Sequence, residues 1–268
     1  MDRDVNRGRT ALVTGASGGI GREIAAELAA RGTDLILTAR SAERLEQAAT
    51  ALHARHGITV ETIAVDLSTV GGPESGADRL FSEVEARGLT IDFLINNAGF
   101  GYFGPHAESP LERDQEMIDL NISALTRLTK QVLPGMLARG HGRIMNVASV
   151  ASFVPGPRMA VYHATKAYVL SYSEALAEEL RGTAITVTAL CPGPTQSGFA
   201  EAAEAGESPL FKGKLPTSRD VAAFGVRAME RGRRVAIHGA SNKALVQSLR
   251  TLPRSVVTRI VDRISGNR

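Results

Sequence analysis

Tyr162 and Lys166 stand four residues apart in the stretch AVYHATKAYVLS, Ala160 to Ser171. In a helix that spacing puts both side chains on one face. A tyrosine ordinarily titrates at about pH 10, too high for acid–base work at neutral pH. A neighbouring ammonium favours the phenolate and lowers that value. The pair therefore has the chemistry of a proton donor and its activator. The spacing alone fits packing and surface decoration equally well, so the decision rests with the rest of the chain.

A second chemical feature lies near the amino terminus. The turn TGASGGIG places Gly15, Gly19 and Gly21, with Ser17, Gly18 and Ile20 among them, between an apolar run and a helix-forming run. Glycines let a backbone turn tightly against a pyrophosphate, and a helix amino terminus offers free N–H groups and a positive dipole end. The spacing is G-x-x-x-G-x-G rather than G-x-G-x-x-G. In this strand–turn–helix setting it reads as a dinucleotide cradle. The following strand ends in Ala39, Arg40 and Ser41, with no carboxylate to bond a ribose 2′-hydroxyl. Arg40 is suited to grip a 2′-phosphate, which favours NADP(H), with NAD(H) as the alternative cofactor. Asp66, followed by Leu67, closes the next strand, where a carboxylate accepts from an adenine amino group or serves as a turn acid. Asn97, Ala98 and Gly99 in NNAG suit close packing against a cofactor.

These residues need elements to hold them, and the chain supplies an alternation. Strands are predicted at TALVT, DLILTAR, TVETIAVDL, IDFLINNAG, GRIMNVAS, TAITVTALCPGP and RRVAIHG. Helices are predicted between them: after the glycine turn to Gly32, from Ser41 to about His56, at 75–87, at 109–138 with Pro134 ending or kinking it, at 158–181 and at Arg219 to Arg231. Ser41 is a cap for its helix, and Arg44 rules out a full capping box. Strands that alternate with helices need crossover connections. The fold expected is an α/β, doubly wound (Rossmann) three-layer sandwich with a seven-stranded parallel sheet. Ligands of such sheets bind beyond the carboxyl ends of the strands.

The chain has 268 residues and is 43% hydrophobic, enough for one sizeable core. A single domain over 1–268 is expected, with a basic amphipathic extension at 240–268. The lone Cys191 allows no intrachain disulfide and no Cys-based metal site. No resident metal is expected. The polar start MDRDVNRGRT lacks a signal-peptide core, so a cytoplasmic setting is expected. The formal net charge is +3. From Ala240 onward six basic residues (Lys243, Arg250, Arg254, Arg259, Arg263, Arg268) face one acid, Asp262, so the excess belongs to the tail. No nucleic-acid-binding face is implied.

TGASGGIG, NNAG, Asn121 in IDLNISA, Ser149 in NVASVAS, Tyr162 and Lys166 in YHATK, and CPGPTQS follow in that order on alternating strands and helices. The chain resembles the short-chain dehydrogenase/reductase family over residues 9 to about 238. Its wording is similar to the bacterial general short-chain reductases, to which the 3-ketoacyl reductases look related. The resemblance implies an enzyme that reduces a carbonyl to an alcohol by hydride transfer. It implies Tyr162 as general acid/base, Ser149 on the carbonyl oxygen, Lys166 on the nicotinamide ribose and Asn121 holding a water that links Lys166 to solvent. Pro192, Gly193 and Thr195 would contact the nicotinamide end. A homodimer or homotetramer is implied as well. The rival reading is a non-catalytic NADP(H)-binding regulator on the same fold, which has no need of a tuned phenol.

His163, between the pair in sequence, should point elsewhere on the helix, and Cys191 reads as a small core residue. Phe100, Tyr102 and Phe103, with Phe199, Leu210 and Phe211 in the segment 195–215, are candidate contacts for an apolar carbonyl substrate. In the tail, Pro253 splits two helices. Val256, Val257, Ile260, Val261 and Ile264 form an apolar stripe flanked by Arg254 on one side and Arg259 and Arg263 on the other. That stripe is expected to pack on its own domain or a neighbouring subunit, with a membrane surface as the alternative partner.

Overall fold

A computed structural model describes residues 6–70, 74–206, 208–249 and 252–266. The seven strands are β1 (Thr10–Thr14), β2 (Asp34–Ala39), β3 (Val60–Ala64), β4 (Phe93–Asn96), β5 (Gly142–Val147), β6 (Ile185–Cys191) and β7 (Val235–Ile237). They form one parallel sheet in the order β3-β2-β1-β4-β5-β6-β7. The order reverses between β1 and β4, which opens a crevice at their carboxyl ends.

Side chains that alternate along each strand feed two different cores. On β1, Ala11 and Val13 point to one face, where helices α1 (Gly19–Ala29), α2 (Ala42–His56) and α8 (Ser218–Glu230) bring Ile24, Leu28, Leu45, Val221 and Val226. Leu12 points to the other face. There α3 (Gly76–Ala86), α5 (Leu125–Arg139) and α6 (Ala160–Glu179) bring Leu80, Val84, Leu128, Val132 and Leu176. Central strands buried on both faces explain the unbroken apolar runs in the sequence.

The helix expected over 109–138 consists of three pieces. Helix α4 (Leu111–Ile118) passes through a π turn at Asp119–Ala124 into α5. The wider turn inserts one residue into the helical register, a change the hydrophobic period does not report. Pro134 does not end the helix, which runs on to Arg139. Proline costs the helix one N–H donor. The stop comes from Gly140 in the left-handed conformation (φ +68°), with Gly140 N–H on the Leu137 carbonyl and His141 N–H on that of Met136.

Beyond β6 the chain forms a short helix α7 (Phe199–Ala202) and a 3-10 turn (Pro209–Phe211), and beyond β7 it forms α9 (Ala240–Leu249) and α10 (Arg254–Gly266). Arg250 and Arg268 of the basic tail lie outside the described residues.

Candidate active site

The glycine turn is clamped to the loop after β4 by side-chain hydrogen bonds. Thr14 Oγ1 accepts from the N–H groups of Asn97 and Ala98 at 2.9 Å each, and Asn97 Nδ2 donates to the Thr14 carbonyl at 2.8 Å. Gly15 and Gly19 take positive φ values of +66° and +52°. A β-carbon on Gly15 would stand 2.8 Å from Asn97 Nδ2. One on Gly21 would overlap both Asn97 Nδ2 and the Gly15 carbonyl. Gly21, expected in the cradle, packs beneath the turn and does not itself line the cavity. Ser17, Gly18, Gly19 and Ile20 do line the cavity, and a β-carbon on Gly18 would meet nothing within 4 Å. Gly18 is the N-cap of α1, and no side chain caps that helix. The first-turn N–H groups keep their positive potential for an anion. The cradle fits a dinucleotide pyrophosphate.

Around the adenosine end the assignments divide. Arg40 directly follows β2 and is exposed. Ser41 accepts from Arg44 N–H at 3.4 Å, so its hydroxyl caps α2. Asp66 Oδ1 accepts from the Ser68 N–H at 2.9 Å and the Ser68 hydroxyl at 2.7 Å, as a turn acid does. The Leu67 side chain is buried in the core against Leu80 and Val84, so only its backbone is left for a ligand.

Ser149, Tyr162 and Lys166 converge beyond the carboxyl end of β5, and each is nearly inaccessible to solvent. Ser149 Oγ accepts from Ala151 N–H at 3.1 Å and reaches the Pro192 carbonyl only at 3.5 Å. It acts on the Tyr162 phenol in the direction that lowers its pKa. Lys166 Nζ donates to the Val147 carbonyl at 2.8 Å and lies 5.9 Å from the centre of the Tyr162 ring. Burial raises the Tyr162 pKa to about 12, against the opposing pull of the Ser149 hydroxyl. Burial lowers Lys166 to about 8. The expectation that Lys166 depresses the tyrosine is not met within the protein itself. Desolvation outweighs an ammonium that sits under the ring rather than at the phenol oxygen.

Asn121 occupies the π turn. Its amide donates to the Phe100 carbonyl and to Thr165 Oγ1, both at 3.0 Å, and its Oδ1 accepts from Phe100 N–H at 3.2 Å. The side chain thus ties α4–α5 to the NNAG loop and to α6. Gly99 has no room for a β-carbon, which would lie 2.7 Å from Asn121 Oδ1. Thr195 Oγ1 donates to the Gly193 carbonyl at 2.8 Å, and Pro192, Gly193 and Thr195 line the cavity. Cys191 is fully buried, and its thiol is pushed up to about 12 by that burial.

The cavity encloses about 600 Å³ and runs from the glycine turn past Tyr162 to the tail. His163 does reach its wall, contrary to expectation. Its ring stands edge-on to Tyr162, Nδ1 is 2.8 Å from the Val154 carbonyl, and burial holds its pKa low. Phe199 and Phe211 line the cavity, with Phe199 5.1 Å from the Tyr162 ring centre. Phe100, Tyr102 and Phe103 instead pack behind that wall around Met117 and Ala203, where Arg113 stacks on Phe100 at 4.2 Å. The Leu210 side chain lies outside the described residues. Sequence reasoning missed the tail as a wall: Val246 and Leu249 of α9 and Ile260, Val261 and Ile264 of α10 face the cavity. The apolar stripe was the available signal, and its partner is this pocket.

Comparison with known proteins agrees with this geometry. The family described as short chain dehydrogenase matches residues 9–208. A very-long-chain 3-oxoacyl-CoA reductase of Anas platyrhynchos is 38% identical over 189 residues, 69% of this chain and 59% of that protein. The chain spans little more than half the length of the curated relatives it matches. A short-chain dehydrogenase from Sphingobium yanoikuyae, solved in complex with NADPH, is 34% identical with a TM-score of 0.78, covering 90% of this chain and 93% of that one. The bulky-bulky ketone specific alcohol dehydrogenase from Comamonas testosteroni is 30% identical with a TM-score of 0.74, covering 90% and 92%.

Proposed function

The chain belongs to the short-chain dehydrogenase family, and on that premise we propose that it is an NADP(H)-dependent carbonyl reductase acting on an apolar ketone, with 3-oxoacyl thioesters the first class to consider. One observation carries the reading: Ser149, Tyr162 and Lys166 line one cavity that continues into the glycine cradle. The similarity to 3-oxoacyl-CoA reductases and to an NADPH-bound dehydrogenase supports it. The whole of 1–268 is read as one dinucleotide-binding unit, because the tail helices share the wall of the same cavity.

The residues that would hold the cofactor are Ser17, Gly18, Gly19 and Ile20 at the pyrophosphate and Pro192, Gly193 and Thr195 at the nicotinamide end, all on the cavity wall, with Arg40, exposed just after β2, at the 2′-phosphate. When bound, the nicotinamide supplies the hydride. Tyr162, with its pKa about 12, is protonated at neutral pH and gives its proton to the carbonyl oxygen as that oxygen gains charge. Ser149 has one lone pair engaged by Ala151 and only a long contact for its proton, so its O–H turns readily to the same oxygen. Lys166 spends one proton on Val147 and keeps the others for a ribose hydroxyl. Its lowered pKa lets it pass a proton toward the phenol near neutral pH. The Asn121 side chain is engaged by Phe100 and Thr165, so a water held here rests on backbone freed by the π turn. Homo-oligomerisation is proposed through the outer faces of α5 and α6, where Leu137 and Tyr168 are exposed.

The test is NADPH oxidation at neutral pH against a panel of ketones and 3-oxoacyl thioesters. Turnover that falls by ~10²-fold or more in Tyr162→Phe, with NADPH binding retained, is the expected result. A Tyr162→Phe protein as active as wild type would refute the reading.

A further inference from the structure

The tail beyond β7 is not needed to complete the sheet or the phosphate cradle, yet it reaches the catalytic cavity. Leu245, Val246 and Leu249 of α9 face that cavity, as do Ile260, Val261 and Ile264 of α10. Among the described residues the single polar tail side chain on this wall, Asn242, is engaged: its Nδ2 donates to the His238 carbonyl at 2.8 Å. The tail is anchored at both ends. Gly193 has room for no β-carbon because Asn242 Nδ2 would stand 2.5 Å from it, so α9 sits directly on the loop after β6. At the far end α10 packs on the 3-10 turn, with Gly266 beside Pro209.

The apolar face is also unfilled. Val246 and Val257 are buried, as in ordinary packing, but Leu245 is 43% exposed and Ile264 47% exposed although both line the cavity. An apolar stripe that served only to pack its helix would be covered. This one leaves hydrocarbon surface around open space continuous with Ser149 and Tyr162, and Phe199 and Phe211 close the opposite side.

We infer that α9 and α10 form the wall that holds the hydrocarbon portion of the substrate, so that this tail sets the chain length the enzyme selects. The inference rests on the carbonyl-reductase reading for the position of the reacting end. A carbonyl held by Ser149 and Tyr162 leaves an attached aliphatic chain only one apolar direction, between the loop aromatics and the tail. Each methylene buried there strengthens binding ~fourfold.

The experiment is calorimetric titration of the full chain, loaded with NADP+ so that no ketone is turned over, with methyl ketones from butanone to dodecanone. Affinity should climb ~fourfold per methylene until the chain fills the cavity. Ile260→Phe should stop the climb at a shorter ketone, and Ile264→Ser should flatten it for the longest ones. Val256→Ser, on a side chain outside the cavity wall, should leave the series unchanged. Unaltered NADPH affinity reports that each variant is folded. A flat series in wild type, or the same climb in wild type and both wall variants, overturns the inference. The reaction itself is read separately. Ketones that bind with the length dependence but are never reduced would refute the reductase reading and leave the tail's role standing. Reduction without length dependence would do the reverse.

Discussion

Lys166 gives its ammonium to the Val147 carbonyl at 2.8 Å and not to the Tyr162 phenol one helical turn away. The last residue of β5 therefore holds the lysine down, under the ring it serves. Burial shifts both side chains toward their neutral forms, the tyrosine up to about 12 and the lysine down to about 8. The ion pair a sequence reader would draw between them is replaced by two separate burial effects.

The pH dependence of stability follows from those values. Below about pH 8 Lys166 is charged in both states, and the folded state bears the cost of the buried charge. Between about 8 and 10.5 the unfolded chain binds the extra proton, so the lysine's penalty is lifted as pH rises. Tyr162 acts oppositely above its ordinary 10.0, where the folded state binds the extra proton and stability falls with pH. Thermal unfolding of wild type and Lys166→Met, compared from about pH 7 to 10, should show wild type gaining on the variant by up to ~3 kcal/mol. A difference independent of pH would mean that the lysine is not buried as described.

Arg40 should separate the two dinucleotides. It is exposed and directly follows β2, where the proposed function puts the 2′-phosphate. A charge-assisted contact contributes about 1.5–3 kcal/mol, so Arg40→Ala should weaken NADPH binding ~10- to 100-fold. NADH binding should change little. Equal loss for both cofactors would place Arg40 in a structural role instead.

Two glycines three residues apart should fail in different ways. Gly21→Ala forces a β-carbon into Asn97 and the Gly15 carbonyl and should destabilise the fold by about 1–3 kcal/mol. Gly18→Ala meets open space and has an extended backbone (φ −173°), so the unfolding temperature should hold. Its methyl group would instead stand in the cavity where the pyrophosphate belongs, weakening NADPH binding. Calorimetric unfolding and NADPH titration of both variants check the contrast, and a stable Gly21→Ala protein would contradict the packing described.

The alternation of strands and helices, the glycine turn and the order of Asn121, Ser149, Tyr162 and Lys166 were all legible along the chain. They depend on local periodicity, on backbone conformations that glycine alone adopts easily, and on the fixed spacing of one helix face. TALVT matched β1 residue for residue, because an apolar β-branched run bounded by a glycine turn leaves little choice. The tertiary structure decided what depends on neighbours remote in sequence. It engaged Asp66 with Ser68, sent Leu67 into the core and moved Phe100 behind the cavity wall. It widened the helix at Asn121 so that one amide could meet both the NNAG loop and α6. It turned the tail's apolar stripe toward Tyr162. A stripe read along one helix states that an apolar partner exists, but the identity of that partner depends on where a helix more than seventy residues beyond the tyrosine comes to rest. Burial set the two pKa values for the same reason, since desolvation is a property of everything packed around a group and not of its sequence neighbours.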